Sequence, residues 1–387
     1  MSWDDAAVSW KNLFTRSLAD NAMHFAAHSH HLWPDASFDG HMAAWTDAAR
    51  LADLKWDRIM GEVWPEAQAH VARELNLPDP GTIAFSANTH DFLIRIVSAI
   101  DRRPVRILTT DGEFHSFRRQ AARWEEAGDA IVERLPVGPD LAARLAERAA
   151  DFDIVWVSHV MFGTGAVVDD LATLAVVARP EGPWVVVDGY HSFMAIETDL
   201  GAVADRLFYL SGGYKYAMAG EGIGFCHAPP GLASRPALTG WFAEFEARDK
   251  AQGRIGFADD ARRLLGATFD ATGLYRFNAV RRMLDAEGLT TVAISAHVAK
   301  LQRRAVDVLA DTPLGRMDLL NPLDGAPHAR FLALRSADAP AIYEALRAQG
   351  VVTDLRGDIL RIGFGLYHDA GDVEALAALF ENGMLRS

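Results

Sequence analysis

Lys215, Asp188 and His191 are the residues whose types and spacing best suit covalent catalysis. Asp188 ends the apolar run 185–187, and Lys215 lies 27 residues later, just beyond a Ser-Gly-Gly turn at 211–213. A lysine in apolar surroundings has a lowered pKa and becomes a nucleophilic amine. Pyridoxal 5'-phosphate (PLP) needs such a lysine for its aldehyde and an acid for its ring nitrogen. The spacing therefore predicts that Lys215 carries PLP, that Asp188 faces the ring nitrogen, and that His191 reaches the phenolic oxygen.

Each of these residues also has a simpler interpretation. An aspartate after a buried strand can cap the next helix, and most lysines are solvated. His191 could be an ordinary core or surface histidine. Tyr214 either packs as an aromatic residue or binds phosphate and relays a proton beside the lysine. The catalytic interpretation is favoured because Lys215 follows Asp188 after one further strand, Leu207–Leu210.

The elements that must position these residues alternate along the chain. The apolar runs predict strands at Thr82–Phe85, Val105–Thr109, Ile154–Ser158, Trp184–Asp188, Arg206–Ser211 and Ile223–His227. The amphipathic stretches predict helices at Asp91–Ala99, His115–Ala127, Asp140–Ala150 and Leu171–Ala178. This alternation predicts an α/β fold with a mostly parallel sheet flanked by helices, which binds ligands at the carboxyl ends of its strands.

The pattern changes after about residue 280. The predicted elements are a helix over Ala279–Leu309 broken near Gly288, a strand at Phe331–Leu334, a helix at Pro340–Gln349, a strand at Ile359–Gly363 and a helix at Asp372–Phe380. This order indicates a smaller α+β domain. We therefore expect a large PLP-binding domain at residues 35–278 and a small domain formed by residues 1–34 with 279–387.

Composition limits the possible partners of this 387-residue chain. A net charge of −14 disfavours a nucleic-acid ligand, which requires a basic surface. One cysteine, Cys226, excludes a disulfide within the chain, and no apolar run approaches the 18 residues of a membrane span. The acidic start of the sequence is unlike a signal peptide. A cytoplasmic enzyme with a small-molecule substrate is the expectation.

Several short motifs resemble those of fold-type-I PLP enzymes of the class V aminotransferase group. The chain is most similar to kynureninase, over about residues 24–380. Ser86-Ala87-Asn88-Thr89-His90 stands where kynureninases have Thr-Val-Asn-Leu-His, and residues 158–165 resemble their Thr-His-Val-Asn-Tyr-Lys-Thr-Gly. Asp188 with His191, and Tyr214 with Lys215, match the family's Asp-x-x-His and Tyr-Lys. The resemblance implies a homodimer whose active sites are shared between subunits.

The same resemblance implies the cofactor contacts of the early part of the chain. Ser86 corresponds to the hydroxyl residue that binds the PLP phosphate, and Phe85 would supply a backbone amide. Phe114 matches the residue that stacks on the cofactor ring. Phe117 stands where the family has an aspartate, so that contact is altered here.

Two further cofactor contacts are implied near the middle of the chain. Trp241, in a segment similar to the family's Gly-Trp-Phe/Trp-Gly-His, would approach the phosphate from the partner subunit. Thr272 is expected to replace a phosphate-binding asparagine, because the nearer counterpart, Asp270, would repel phosphate.

Arg361 is the predicted clamp for the substrate carboxylate. It matches the arginine of the family's Arg-Val-Ala-Pro-x-Pro-Leu-Tyr-Asn, and its planar guanidinium suits a carboxylate. The alternative is a salt bridge inside the small domain. His28 and His30 lie where kynureninases have a loop that lines the substrate site, so both are predicted to bind substrate. A metal site in this histidine-rich segment is disfavoured, because Asp35 is the nearest carboxylate and no cysteine is close.

The resemblance implies a kynureninase-like hydrolase that cleaves the Cβ–Cγ bond of a kynurenine-type amino acid, giving alanine and an aryl acid. Tyr214 and Asp188 would assist Lys215 in catalysis. The alternatives are a class V aminotransferase and another PLP-dependent β-lyase. Cysteine desulfurase is disfavoured, because Cys226 lies in a predicted buried strand rather than on a mobile loop. A PLP-binding regulator without catalysis would not need Arg361.

Overall fold

The computed structural model describes residues 9–20, 23–244, 255–325 and 327–381. Its strands are β1 (Ile83–Ser86), β2 (Val105–Thr110), β3 (Ala130–Leu135), β4 (Ile154–Ser158), β5 (Trp184–Asp188), β6 (Leu207–Gly212), β7 (Gly224–His227), β8 (Asp318–Leu319), β9 (Phe331–Arg335), β10 (Asp354–Arg356) and β11 (Ile359–Gly363). Its α-helices are α1 (Thr15–Leu18), α2 (Asp35–Leu51), α3 (Lys55–Arg58), α4 (Trp64–Glu74), α5 (Thr89–Ser98), α6 (His115–Ala127), α7 (Leu141–Arg148), α8 (Leu171–Val177), α9 (Thr272–Ala286), α10 (Thr291–Val308), α11 (Ala339–Ala348) and α12 (Ala370–Glu381).

The large sheet is mostly parallel, as the sequence predicts. Within the described ranges it has seven strands in the order β1-β7-β6-β5-β4-β2-β3. The pairs formed by β2, β3, β4, β5 and β6 are parallel, whereas β7 runs antiparallel to β6 and β1. The central strands β4 and β6 are buried along their whole length, because helices cover both faces and leave no solvated side. Their carboxyl ends therefore meet at one edge.

The predicted strands are confirmed to within one or two residues, whereas the short strands β8 and β10 of the small sheet and the longer strand β3 have no predicted counterpart. This strand is an edge strand that pairs with β2 alone in the described sheet order. Its charged residues Glu133 and Arg134 break the apolar run, and most of its side chains are at least partly exposed. An edge strand of this kind lacks the continuous hydrophobic pattern by which buried strands are recognised.

The small sheet is antiparallel and stands among the later helices. In the described part of the chain it has four strands, ordered β10-β11-β9-β8. The N-terminal segment joins it: the amide of Phe25 donates to the carbonyl of Val352 at 2.7 Å, and the amide of Gly363 donates to the carbonyl of Phe25 at 2.7 Å. This pairing agrees with the grouping of the chain's start with its end, although the domain boundaries themselves stay a prediction.

The long helix predicted over Ala279–Leu309 is interrupted, and it starts earlier than expected. It consists of α9 and α10, and Gly288 lies between them with φ +66°. Glycine adopts this left-handed conformation without strain, so it ends a helix readily. The earlier start of α9 at Thr272 packs it against α2, where a β-carbon on Gly40 would lie 2.6 Å from the carbonyl oxygen of Tyr275. None of the helices in the described ranges is both long and apolar enough to cross a bilayer.

Candidate active site

A cavity of about 310 Å³ lies at the carboxyl ends of the central parallel strands. Its lining residues are Asn88, Thr89, His90, Leu93, Phe114, Ser116, Phe117, Trp156, Ser158, Val160, Phe162, Asp188, Tyr190, His191, Tyr214 and Lys215. Ser158 ends β4, Asp188 ends β5, and Lys215 follows β6. The structure therefore brings together the acid, the histidine and the lysine that the sequence singled out, at the place where open α/β sheets bind ligands.

Asp188 lines the cavity, and the turn that follows it holds its carboxylate in place. One carboxylate oxygen accepts a hydrogen bond from the backbone amide of Tyr190 at 2.9 Å. No helix begins directly after β5 in the described structure, so the helix-capping interpretation of Asp188 does not hold. Removal from solvent raises the pKa of Asp188 to about 6, while the Tyr190 amide and the charge of Lys215 oppose that rise.

Lys215 is buried beside two aromatic rings. It is 9% exposed, and its Nζ lies 5.5 Å from the ring centroid of Tyr190 and 5.9 Å from that of Tyr214. Burial, and then the positive charge of Arg361, lower the pKa of Lys215 to about 7 against the opposing effect of Asp188. A substantial neutral fraction at pH 7 is what a nucleophilic amine requires.

His191 is a buried neutral imidazole at the cavity wall. Burial, followed by the charges of Lys215 and Arg361, lowers the pKa of His191 well below its usual range. Its Nδ1 has no hydrogen-bond partner among the described residues. A buried ring nitrogen without a partner inside a cavity is a place where a ligand atom can complete the hydrogen bonding.

The N-terminus of α5 forms one end of the cavity. The side chain of Asn88 caps this helix by accepting from the amide of Asp91 at 3.1 Å. The first amides of a helix have no acceptor within the helix, and together with the helix dipole they favour an anion. The backbone of β7 lies close to the start of α5: a β-carbon on Gly224 would lie 2.7 Å from the carbonyl carbon of Asn88. This narrow, anion-favouring end fits a phosphate group.

The residues predicted to bind phosphate near this helix lie elsewhere. Ser86 donates its hydroxyl to Asp91 at 2.6 Å, and Phe85 is buried against Trp64. Neither lines the cavity, where Asn88, Thr89 and His90 stand instead. A helix-capping pattern in the sequence could have predicted these residues: Asn88 stands three residues before Asp91, at the start of an apolar helix.

Phe114 and Phe162 form an aromatic wall of the cavity. Phe114 is 40% exposed, and its ring meets that of Phe162 edge to face at 5.4 Å. Phe117, which stands where the family has an aspartate, stacks on Trp156 at 4.9 Å, and both rings line the cavity. Phe114 is thus available to pack on a flat ring, while Phe117 serves packing.

Glu113 is a buried acid that sequence reasoning missed. One of its oxygens accepts from the Thr110 hydroxyl at 2.7 Å and the Ser158 amide at 3.1 Å, and the other accepts from the Ser158 hydroxyl at 2.6 Å. Ser158 in turn pairs in register with Asp188. Burial raises the pKa of Glu113 to about 7. Strand pairing brings Ser158 close to Glu113, and no local sequence motif predicts that contact.

Arg361 makes the salt bridge that was the alternative to a substrate clamp. It is 2% exposed, and its Nε donates to Asp354 at 2.8 Å, while its terminal nitrogens donate to Asp354 and to the carbonyl of Phe162. Arg361 and Asp354 are partners in the β10–β11 register. These three bonds use three of the five N–H groups of a guanidinium and leave two for a further acceptor, but Arg361 is not among the residues that line the cavity.

The remaining predicted residues lie outside the cavity lining. Trp241 is 45% exposed, and its Nε1 donates to the Thr268 hydroxyl at 3.3 Å. The hydroxyl of Thr272 is bound to Asp270 at 2.5 Å. Their cofactor contacts stay predictions, and within one chain neither residue lines the cavity.

The two histidines predicted to bind substrate differ in their surroundings. The ring of His30 meets Tyr214 edge to face at 5.1 Å near the cavity mouth. His28 is fully buried. No group of three or more His, Cys, Asp or Glu side chains among the described residues could hold a metal ion.

Comparison with known proteins identifies the family of this chain. The sequence profile described as "Aminotransferase class-V" matches residues 57–376. The chain belongs to the class V aminotransferase family. It is therefore a PLP-dependent enzyme of fold type I, as predicted, and the cavity fits that cofactor: it offers a buried lysine, a carboxylate, an orphaned imidazole nitrogen and a helix N-terminus.

Two curated proteins are similar to this chain along most of its sequence. Isopenicillin N epimerase of Streptomyces clavuligerus is 28% identical over 356 residues, which cover 85% of this chain and 87% of that protein. A probable cysteine desulfurase of Vibrio cholerae is 23% identical over 337 residues, covering 81% of this chain and 80% of the other. The likeness to kynureninase rests on the motifs alone and stays a prediction.

Solved structures share the fold of this class V aminotransferase. The cystine C-S lyase C-DES, in complex with cysteine persulfide, has a TM-score of 0.79 at 20% identity and covers 94% of this chain and 98% of its own. The cysteine desulfurase of Thermococcus onnurineus has a TM-score of 0.80 at 17% identity, with 98% and 99% covered. Escherichia coli CsdA has a TM-score of 0.80 at 20% identity, with 97% of each chain covered.

Proposed function

We propose that this enzyme holds PLP on Lys215 and removes the Cα proton of an α-amino acid. The observation that carries the proposal is the meeting of Lys215, Asp188 and His191 in one cavity. When bound, PLP supplies an electron sink for the charge that develops at Cα. Lys215, as a neutral amine, would take the Cα proton.

The other cavity residues would hold the cofactor. Asp188 would face the ring nitrogen with its carboxylate, and His191 would bond the phenolic oxygen. The first amides of α5, at Thr89 and His90, would bind the phosphate, because a helix N-terminus favours an anion. Phe114 would pack on the ring face, and Tyr214, beside Lys215, would relay a proton.

Arg361 would orient the substrate. Its bonds to Asp354 and to the carbonyl of Phe162 hold the guanidinium in place, and two of its N–H groups remain for the substrate carboxylate. Because the side chain is already held, less rotamer freedom is lost on binding. The salt bridge therefore supports the clamp and does not replace it.

The lining favours a substrate with an aryl side chain. Besides Phe114, which is assigned to the cofactor ring, Phe162, Trp156 and Tyr190 give the cavity aromatic walls, and flat rings pack well against such walls. We therefore rank first a kynureninase-like hydrolysis, in which the Cβ–Cγ bond of a kynurenine-type amino acid is cleaved to give alanine and an aryl acid.

Epimerisation at Cα is the second candidate. It is favoured by the similarity to isopenicillin N epimerase across 85% of this chain, since that reaction needs the same Cα proton transfer. Persulfide formation on a cysteine is disfavoured. Cys226, the sole cysteine of the sequence, is fully buried in β7, and burial raises the pKa of its thiol.

One incubation separates these reactions. The purified PLP-loaded enzyme is mixed with kynurenine or 3-hydroxykynurenine, and the mixture is assayed for alanine, keto acid and inverted amino acid by chiral chromatography. Hydrolysis gives alanine with an aryl acid, epimerisation gives the inverted amino acid, and transamination gives keto acid. The Lys215→Ala variant should form no product, whereas Lys55→Ala, changed outside the cavity on α3, should keep full activity. Activity of Lys215→Ala would contradict the proposal.

A homodimer is proposed from the surface of α2. Phe38, Met42 and Trp45 recur at helical spacing on this helix and are 45%, 41% and 65% exposed. A stripe of large apolar side chains at a surface marks an interaction site. A second copy of the chain is the partner that the resemblance to fold-type-I enzymes implies.

A further inference from the structure

Glu113 is a fully buried carboxyl group whose hydrogen bonds all come from uncharged donors. It is 0% exposed. Its Oε1 accepts from the Thr110 hydroxyl at 2.7 Å and from the Ser158 amide at 3.1 Å, and its Oε2 lies 2.6 Å from the Ser158 hydroxyl oxygen. Within the described ranges these are the side chain's hydrogen-bond partners, and none of them carries a positive charge.

Two other buried acids of this chain do have a cationic partner. Asp47, 7% exposed, is paired with Arg58 at 3.2 Å, and Asp153, 8% exposed, is paired with Arg102 at 3.1 Å. A carboxylate removed from water without a counter-charge is costly, so such a group tends to keep its proton. Glu113 is therefore held in surroundings that favour the neutral acid.

Ser158 connects this acid to the cavity. Its side chain lines the cavity, and it is paired in register with Asp188 on the neighbouring parallel strand. Paired residues of adjacent strands direct their side chains to the same face of the sheet. Thr110, whose hydroxyl also bonds Glu113, is not among the lining residues. Of these two hydroxyls, that of Ser158 is the one that can reach a bound ligand.

The protonation state of Glu113 decides the direction of its hydrogen bond with Ser158. An ionised Glu113 can only accept, so Ser158 must donate to it and has no proton left for the cavity. In a neutral Glu113, Oε1 accepts from its two donors, and the proton on Oε2 is donated to Ser158, whose own proton is then free. Burial raises the pKa of Glu113 to about 7, against the hydrogen bonds from Ser158 and Thr110, so the neutral form predominates at pH 6.

We propose that Glu113 is a positioning residue that makes the Ser158 hydroxyl a hydrogen-bond donor to the cofactor. The inference rests on the proposed function, because the acceptor is an anionic oxygen of bound PLP. The phosphate is assigned to the start of α5, which leaves the phenolic oxygen as the acceptor expected for Ser158. Glu113 itself does not touch the ligand, and hydrogen bonds are the only bonds that change.

The first measurement is the apparent dissociation constant of PLP for the full-length apoenzyme at pH 6. Ser158→Ala removes the donor, so the constant should rise about tenfold, as expected for a lost hydrogen bond to an anionic acceptor. Thr110→Val removes a bond to Glu113 of similar length outside the cavity, and the constant should stay within about twofold. Glu113→Gln keeps a donor toward the Ser158 hydroxyl and an acceptor toward its amide, so it should also stay within about twofold.

The second measurement is infrared difference spectroscopy, which detects the Glu113 proton directly. At pH 6 the wild type should show a carboxylic-acid C=O band that Glu113→Gln lacks. This band should shift when PLP binds to the wild type, because the Ser158 hydroxyl that accepts from Glu113 then donates to the cofactor. In Ser158→Ala the band should not respond to PLP. A purely structural role of Glu113 predicts no response to PLP in either protein.

The outcomes separate this inference from the proposed function. Equal weakening of PLP binding by Ser158→Ala and Thr110→Val, or a wild-type band that is absent or insensitive to PLP, would overturn the relay while leaving PLP binding intact. If the wild type binds no PLP, the proposed function fails. Should Ser158→Ala not fold, Ser158→Cys replaces the hydroxyl with a weaker donor of similar shape, and unchanged PLP affinity in that variant counts against the relay.

Discussion

Lys215 should react with the cofactor aldehyde as a neutral amine near pH 7. Burial, and then the charge of Arg361, lower its pKa from 10.5 to about 7. About half of the side chain is then neutral at pH 7, against roughly 0.03% for a lysine with an ordinary pKa. The structure therefore increases the reactive fraction by roughly a thousandfold.

The assay is the rate at which the apoenzyme takes up PLP between pH 5.5 and 9. The rate constant should fall about tenfold for each pH unit below 7 and level off above about pH 8, because only the neutral amine attacks. Dividing by the rate of a small-molecule amine of known pKa, expressed per neutral amine at each pH, corrects for titration of the aldehyde itself. Lys55→Ala serves as the matched control and should follow the wild-type profile.

Two substitutions should move the midpoint in opposite directions. Arg361→Gln removes a charge that lowers the Lys215 pKa, so the midpoint should rise. Asp188→Asn removes a charge that raises it, so the midpoint should fall. A wild-type rate that still climbs beyond pH 9, or two variants that shift the same way, would refute the reasoning about this lysine.

Three further predictions concern the buried acid Glu113, the proposed carboxylate clamp Arg361 and the apolar surface of α2. The pKa of Glu113 is raised from 4.5 in the unfolded chain to about 7 in the native state. Between these two pH values the native state keeps a proton that the unfolded state has lost. The unfolding free energy therefore falls as the pH rises from 4.5 to 7. Wild type should lose about 3 kcal/mol more of its unfolding free energy than Glu113→Gln between pH 4.5 and 7; parallel urea curves would contradict this. Arg361→Lys keeps the charge but loses the fork, so amino-acid dissociation constants should rise about tenfold or more with PLP still bound, and equal affinity would remove the clamp. Trp45→Asp should convert a dimer to monomers in analytical ultracentrifugation, and a monomeric wild type would rule out the interface.

The sequence by itself determined the order of strands and helices and the acid–lysine pair. Asp188 and Lys215 follow strands whose apolar residues are buried on both faces, so local hydrophobicity marks them. The carboxyl ends of parallel strands meet at one edge whatever the details of packing. The fold class and the pairing of Asp188 with Lys215 were therefore predictable from local patterns.

The tertiary structure decided which side chains face the cavity. The helix cap at Asn88 shifted the proposed phosphate end away from Phe85 and Ser86, because the start of α5 depends on one local hydrogen bond. Arg361 bonds the carbonyl of Phe162, 199 residues away, and Glu113 bonds Ser158, 45 residues away. Contacts of such separation arise when strands pair and pack, so a linear pattern of residue types does not contain them.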